Sequence, residues 1–283
     1  MANIIDGKLI SQNLKDRVKA EVAELKKDGI ESCLAVIIVG SDPASRVYVN
    51  NKKKACEYTG IKSLEYALPQ ETTQQELLEL IEKLNGDDSV NGILCQLPLP
   101  KQIDEQAVIN AISPKKDVDA FHPSNVGHIM IGDHVMLPCT PAGVIEMIDS
   151  CGIDLTSKNC VVIGRSNIVG KPMAMLLLQK NATVTVCHSK TKDLAEITRR
   201  ADVIVSAVGK INTVTADMVK DGAVVIDVAI NRKDDGKLCG DVDFEKVKEK
   251  ASFITPVPGG VGPMTIAVLM KNTLNATKNQ NGR

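Results

Sequence analysis

Five stretches of the sequence combine residue types and spacings that could do chemistry. Tyr48 and Lys52 stand four residues apart, the spacing that puts two side chains on one face of a helix. A tyrosine ring can stack on a flat heterocycle while a neighbouring amine faces the reacting atoms, and a lysine whose pKa is lowered by burial can move protons. Lys52, Lys53 and Lys54 are consecutive, and three adjacent lysines also read as a solvated helix face. Gln96 precedes Leu-Pro-Leu-Pro, in which each residue before proline is pushed to extended geometry, so its amide would be presented rigidly at the end of a strand. Asp117 and Asp119 lie two apart. They could bind a metal, but nothing else has carboxylate-ligand spacing, and one of them could instead pair with a guanidine-like heterocycle edge. Gly164 and Gly170 bracket a turn between an apolar run and a helical one, where backbone can approach a phosphate and a helix N-terminus offers amide donors. The spacing differs from the common G-x-G-x-x-G, so an ordinary strand-to-helix turn fits as well. A Gly/Pro-rich loop, residues 255–265, offers amide donors before the last helix or is a plain turn.

The elements that would carry these groups alternate. Apolar residues at three- to four-residue intervals predict helices over residues 10–25, 45–58, 74–84, 105–112, 169–178 and 194–200. Short apolar runs predict strands at 34–39, 64–68, 92–95, 160–163, 183–187, 203–207 and 223–228. The looser stretch 113–141 reads as a domain boundary. Thr140-Pro141 resembles an N-cap followed by proline, opening a helix to about Ser150. A last helix is expected from Pro263 to about Leu274, with a frayed polar tail from Lys278. This β–α–β rhythm implies parallel sheets covered on both faces, that is, an α/β fold.

The second strand of the C-terminal half sharpens the dinucleotide reading. In NAD-binding sheets an acid about 20 residues beyond the glycine turn takes the ribose 2′-hydroxyl. Here Cys187 is followed by His188, Ser189, Lys190, Thr191 and Lys192, with Arg165 in the turn itself. That set suits a 2′-phosphate, so NADP is expected over NAD.

Composition narrows the class further. With 283 residues, 43% hydrophobic and 24% charged, the chain is long enough for about two domains. Thirty-four basic residues against 35 acidic give a net charge of −1, which argues against a nucleic-acid or membrane-surface partner. Aromatics are only 2% with no Trp, so the core must be aliphatic, as in buried parallel strands. The eight cysteines form no C-x-x-C pair or zinc-type cluster and read as reduced, packed thiols. No basic-then-apolar leader opens the chain, and the expected location is cytoplasmic.

Taken together and in order, Tyr48-Val-x-x-Lys52-x-Lys54-Ala55, Gln96-Leu-Pro-Leu-Pro100, Lys116-Asp-Val-Asp119, Gly164-Arg-Ser-x-Ile-Val-Gly170-x-Pro172, Cys187-His-Ser-x-Thr191 and Pro258-Gly-Gly-Val-Gly-Pro-Met-Thr265 resemble the bifunctional methylenetetrahydrofolate dehydrogenase/methenyltetrahydrofolate cyclohydrolase family. The motifs span nearly the whole chain. The resemblance implies an N-terminal α/β catalytic domain, residues 1–120 with the helix end at about 274–283, and a C-terminal Rossmann-like NADP-binding domain, residues 121–273. It also implies a folate cleft between them and a homodimer. By match of motif, Tyr48 would stack on the pterin, Lys52 would be the central catalytic group, Gln96 would orient it, and Asp119 would hold the pyrimidine edge. Leu97, Pro98, Pro258, Gly259 and Gly260 would contact tetrahydrofolate substrates. Gly164, Arg165, Ser166, Ser189 and Ile230 would line the NADP site. No metal is implied. A shikimate-dehydrogenase-like enzyme would show Gly-Ala-Gly-Gly at the turn and Asn-Arg-Thr after the second strand, where this sequence has Gly164-Arg-Ser and His188-Ser-Lys. A non-catalytic NADP sensor would have no need of Tyr48, Lys52, Gln96 and Asp119.

Overall fold

The structure is a computed structural model and describes residues 1–283, the side chain of residue 44 aside. Along the chain run β1 (Asn3–Ile4), α1 (Gly7–Lys27), β2 (Cys33–Val39), α2 (Pro43–Thr59), β3 (Lys62–Leu68), α3 (Gln74–Asn85), β4 (Gly92–Cys95), α4 (Glu105–Ala111), α5 (Pro123–Ile131) and α6 (Cys139–Ser150). There follow β5 (Asn159–Ile163), α7 (Gly170–Gln179), β6 (Thr183–Cys187), α8 (Leu194–Thr198), β7 (Val203–Ser206), β8 (Val224–Asp227), β9 (Asn231–Arg232), β10 (Leu238–Cys239), α9 (Phe244–Val247), β11 (Phe253–Ile254) and α10 (Val261–Gln280). No helix among the described residues is long and apolar enough to cross a membrane.

The chain forms two compact units, residues 12–139 with 266–283, and residues 1–11 with 140–265. These bounds differ from those read off the sequence, and side-chain ties give the reason. Residues 121–139 join the first unit because Asn125 donates to Asp117 Oδ2 at 2.9 Å and Asn272 donates to Leu137 O at 2.8 Å. Residues 1–11 join the second because β1 pairs with β11, Asn3 opposite Phe253 and Ile4 opposite Ile254.

In the first unit three parallel strands lie in the order β3-β2-β4. Every residue of β2 is buried, as a central parallel strand requires, and Leu77, Ile81 and Leu84 of α3 pack on one face of the sheet. Thr73 and Glu76 form a reciprocal capping box at the start of α3.

The second unit holds a six-stranded sheet, β1-β11-β8-β7-β5-β6, parallel throughout. β5 lies between β6 and β7, so strand order reverses there and the carboxyl ends of β5 and β7 form a topological switch point.

Three local expectations are corrected. α5 occupies the stretch read as loose: His122 Nδ1 accepts from the Ser124 amide at 3.1 Å, Pro123 opens the helix and Gly132 ends it at φ 79°. α6 begins at Cys139, so Thr140 and Pro141 are inside its first turn, where a missing N–H costs nothing. α10 extends to Gln280 rather than stopping near Leu274. Its buried threonines satisfy themselves within the helix, Thr273 Oγ1 on Leu269 O and Thr277 Oγ1 on Thr273 O, each at 2.8 Å. The tail is tied down as well: Lys278 pairs with Glu21 and Arg283 with Asp28.

Candidate active site

α2 begins with Pro43 after Asp42, whose carboxylate accepts the Ser45 amide at 2.7 Å, and that start fixes which face of the helix turns inward. Of the three consecutive lysines, Lys53 and Lys54 are exposed and Lys52 is half-buried. Lys52 Nζ donates to Gln96 Oε1 at 2.8 Å. Gln96 follows β4 directly. Its main-chain N–H donates to Ile37 O at 2.8 Å and its side-chain Nε2 to Leu97 O at 2.7 Å, so the amide has one orientation, oxygen toward the lysine. Leu97 is half-buried and Pro98 exposed beside it. Tyr48 lies one turn before Lys52 and is 40% exposed, a ring free to meet a flat ligand.

The two aspartates part company. Asp117 is buried and its carboxylate is spent on the chain, accepting from the His122 amide at 2.8 Å and from Asn125 Nδ2 at 2.9 Å. Asp119 keeps its carboxylate for the site, with the Cys139 thiol donating to Oδ1 at 3.6 Å. Burial pushes the Asp119 carboxyl above the usual carboxylate range, against the pull of Lys52 and the Cys139 hydrogen bond. Burial likewise lowers the Lys52 ammonium below its ordinary value, with Asp119 opposing. The thiols nearby stay neutral: burial pushes Cys56 and Cys95 up to about 12, and Cys139 well up. An amine of lowered pKa and a carboxyl of raised pKa therefore share one low-dielectric site, an arrangement suited to proton transfer.

Cys139 and Asn272 have no part in the sequence reading. By sequence Cys139 is only one of the packed thiols. Asn272, buried on α10, donates to Val118 O and Leu137 O at 2.8 Å each and approaches Cys139 Sγ at 3.7 Å, fixing the main chain on either side of the site. Cys139 lies next to the Thr-Pro pair, but no periodicity links Asn272 to residue 118.

In the six-stranded unit, Gly164 follows β5 at φ 125°, and a Cβ there would meet Ala207 O at 2.5 Å. A Cβ on Gly170 would meet Gly164 O at 2.2 Å, so only glycine permits this turn at either end. Ser166 Oγ accepts from the amides of Val169 at 3.2 Å and Gly170 at 3.3 Å, tying the turn to the start of α7. The amides of Arg165 to Ile168 donate to no protein acceptor among the described residues. Arg165, Ser166 and Ser189 are exposed, and Gly164 N donates to Cys187 O at 2.9 Å, which joins the turn to the end of β6. No acid stands at residues 188–192. Free amides at a helix start, an arginine and a serine fit the diphosphate and 2′-phosphate of NADP. Ile230 is 47% exposed beyond β8, near Gly262. Gly259, at φ 105°, and Gly260 lie with Pro258 in this same unit, where a Cβ on Gly260 would meet Pro256 O at 2.5 Å. Among the described residues no group of three His, Cys, Asp or Glu could hold a metal ion.

A parallel sheet with a glycine turn at its switch point belongs to the dinucleotide-binding class of α/β proteins. Comparison with known families is more specific. Residues 5–119 match the catalytic domain of tetrahydrofolate dehydrogenase/cyclohydrolase, and residues 138–281 match the NAD(P)-binding domain of the same enzymes. The chain belongs to the tetrahydrofolate dehydrogenase/cyclohydrolase family. It is 66% identical to the bifunctional protein FolD of Agathobacter rectalis, over 98% of this chain and 100% of that one. The crystal structure of the bifunctional methylenetetrahydrofolate dehydrogenase/cyclohydrolase of Campylobacter jejuni superposes with a TM-score of 0.97 at 55% identity, covering 99% of each chain. The Trypanosoma brucei dehydrogenase-cyclohydrolase, solved with NADP cofactor and inhibitor, gives 0.95 at 38% identity, over 100% of this chain and 99% of that one.

Proposed function

We propose that this chain oxidises 5,10-methylenetetrahydrofolate with NADP+ to the 5,10-methenyl cation and hydrolyses that cation to 10-formyltetrahydrofolate. The observation that carries the reading is the half-buried Lys52 held by Gln96 at 2.8 Å beside Asp119, in a family whose name states both reactions. We assign the folate chemistry to the unit of Lys52 and the dinucleotide to the unit of Gly164.

NADP+ supplies the hydride acceptor when bound. Gly164, Arg165, Ser166, Ser189 and Ile230 would hold it, and the lack of an acid after β6 favours the 2′-phosphate form. Tyr48 would stack on the pterin, Asp119 would pair with its pyrimidine edge, and Leu97 and Pro98 would complete the folate contacts of that unit. The protein's share of the hydride step is alignment of the bridge carbon. In the hydrolytic step the chain moves protons. Water oxygen bonds to the bridge carbon as neutral Lys52 accepts one water proton. Lys52 then gives a proton to N5 as the bond from that carbon to N5 breaks. The second water proton leaves as the formyl carbonyl forms. Gln96 keeps Nζ aimed through this exchange. A free lysine, with a pKa of about 10.4, would be protonated at neutral pH and unable to begin it. Burial lowers the Lys52 ammonium pKa and so favours the neutral amine.

The same reading includes a homodimer in the cytoplasm with small-molecule partners, and the near-neutral charge supports the exclusion of nucleic acid. The test is a paired assay on purified protein: reduced nicotinamide formed from 5,10-methylenetetrahydrofolate with NADP+ or NAD+, and decay of the 5,10-methenyl compound. Both activities, with NADP+ preferred, are expected. Neither activity, with NADP+ still bound, would return the chain to the class of dinucleotide sensors.

A further inference from the structure

Residues 207–210 follow β7 at the carboxyl edge of the six-stranded sheet and border its switch point. This loop lies against the glycine turn: Ala207 N donates to Ile163 O at 2.8 Å, and Ala207 O stands where a Cβ of Gly164 would be. It forms one wall of the crevice in which a sheet of this kind holds its ligand. A loop that includes Gly209 at φ 81° and a half-exposed Val208 needs an outside tie to keep one shape.

One carboxylate provides that tie. Asp241 is fully buried. Its Oδ2 accepts from Ser206 Oγ at 2.9 Å and Val208 N at 2.8 Å. Its Oδ1 accepts from Lys210 N at 2.7 Å, Gly209 N at 3.1 Å and Asn231 Nδ2 at 3.1 Å. Three successive loop amides converge on a single charged acceptor, and bonds to a charged acceptor are the strong ones. Asp241 is itself held from behind. The amides of Asp241 and Val242 donate to Asp227 Oδ1 at 3.0 Å and Oδ2 at 2.8 Å, and Asp227 ends β8. Gly240 leaves no room for a side chain there, since a Cβ would meet Asp227 Oδ2 at 1.9 Å. A chain of bonds thus runs from the sheet through Asp227 to the backbone at 241–242, and from the Asp241 side chain to the loop. A buried carboxylate is costly unless its lone pairs are filled, and here they are filled by the wall of a ligand crevice. The 208–210 amides are also taken out of competition for phosphate, which leaves the unpartnered amides of residues 165–168 as the anion donors.

We infer that Asp241 is a positioning residue for the dinucleotide site, setting the 207–210 loop against the Gly164 turn so that the crevice is shaped for NADP+ before it binds. The inference rests on the proposed dehydrogenase reading. Asp241→Asn keeps the size of the side chain but puts an NH2 group where an acceptor was, and Ser206→Ala removes one bond only. The Asp241→Asn protein is expected to show an NADP+ KM raised about tenfold or more with kcat within about twofold, the scale of losing bonds to a charged acceptor, and Ser206→Ala a KM raised about threefold. A smaller folded fraction would instead lower kcat at unchanged KM, and that result, or an unchanged NADP+ KM, overturns the inference. Decay of the 5,10-methenyl compound, which uses no NADP+, is followed in the same samples and judges the functional reading separately. Hydrogen exchange at the Val208, Gly209 and Lys210 amides completes the test without any ligand. Slow exchange in the unaltered protein and fast exchange in Asp241→Asn are expected, and equal exchange contradicts the tie.

Discussion

In the three-stranded unit the reactive groups are side chains partly withdrawn from water, Lys52 and Asp119, whose pKa values are moved by burial. In the six-stranded unit the ligand-facing groups are main-chain amides and exposed side chains, and the turn that presents them can close only because Gly164 and Gly170 carry no Cβ. One site works by electrostatics in a low dielectric and the other by backbone shape. They should therefore fail differently. A substitution that changes charge without changing shape should disable the first, while one that changes shape without changing charge should disable the second.

The sharpest way to break this comparison is at Lys52. Lys52→Met keeps an unbranched side chain one atom shorter and removes the amine, so the cyclohydrolase rate should fall about 10²- to 10⁴-fold, the range for general acid–base groups, as read from decay of the 5,10-methenyl compound. A smaller loss would put proton transfer elsewhere. At the other site Gly170→Ala adds one uncharged methyl that would lie 2.2 Å from Gly164 O. NADP+ affinity should drop on the order of a hundredfold by titration calorimetry, a main-chain contact that close being relieved only by moving the turn. Undiminished affinity would mean that the turn does not cradle the cofactor. The smallest effect is expected from a pair of isosteric changes within one motif. Asp119→Asn should raise the folate KM about tenfold by removing a charged acceptor. Asp117→Asn should leave that KM alone and lower the melting temperature, because its carboxylate serves the His122 amide and Asn125. Equal effects on KM from the two would erase the distinction drawn between them.

Much of this was legible in the sequence because it is local. The i, i+4 spacing put Tyr48 and Lys52 on one helix, the prolines after Gln96 fixed the end of β4, and the glycine turn lay between an apolar run and a helical one. What was not legible depends on distant partners. Nothing local says which of three adjacent lysines turns inward, and Lys52 is distinguished by Gln96, 44 residues away. Nothing local says which of two aspartates is spent on the backbone, which is decided by Asn125 and α5, an element the glycine and proline content disguised as loop. The full length of α10 was hidden by polar residues that bond to their own helix or, like Asn272, to carbonyls more than a hundred residues away. Nothing in the sequence around Asp241 points to its partners, which lie in a loop 31 to 33 residues before it.

The most direct test of the central claim, that burial makes Lys52 a usable base, is the pH dependence of the cyclohydrolase rate, corrected for the uncatalysed reaction. Only the neutral amine accepts a proton, so the rate should rise with pH through the Lys52 pKa in the protein, and burial lowers that value. The rising limb should therefore have its midpoint clearly below the ordinary lysine value of about 10.4 and should vanish in Lys52→Met. A midpoint at the ordinary value, or the same limb in the variant, would contradict it.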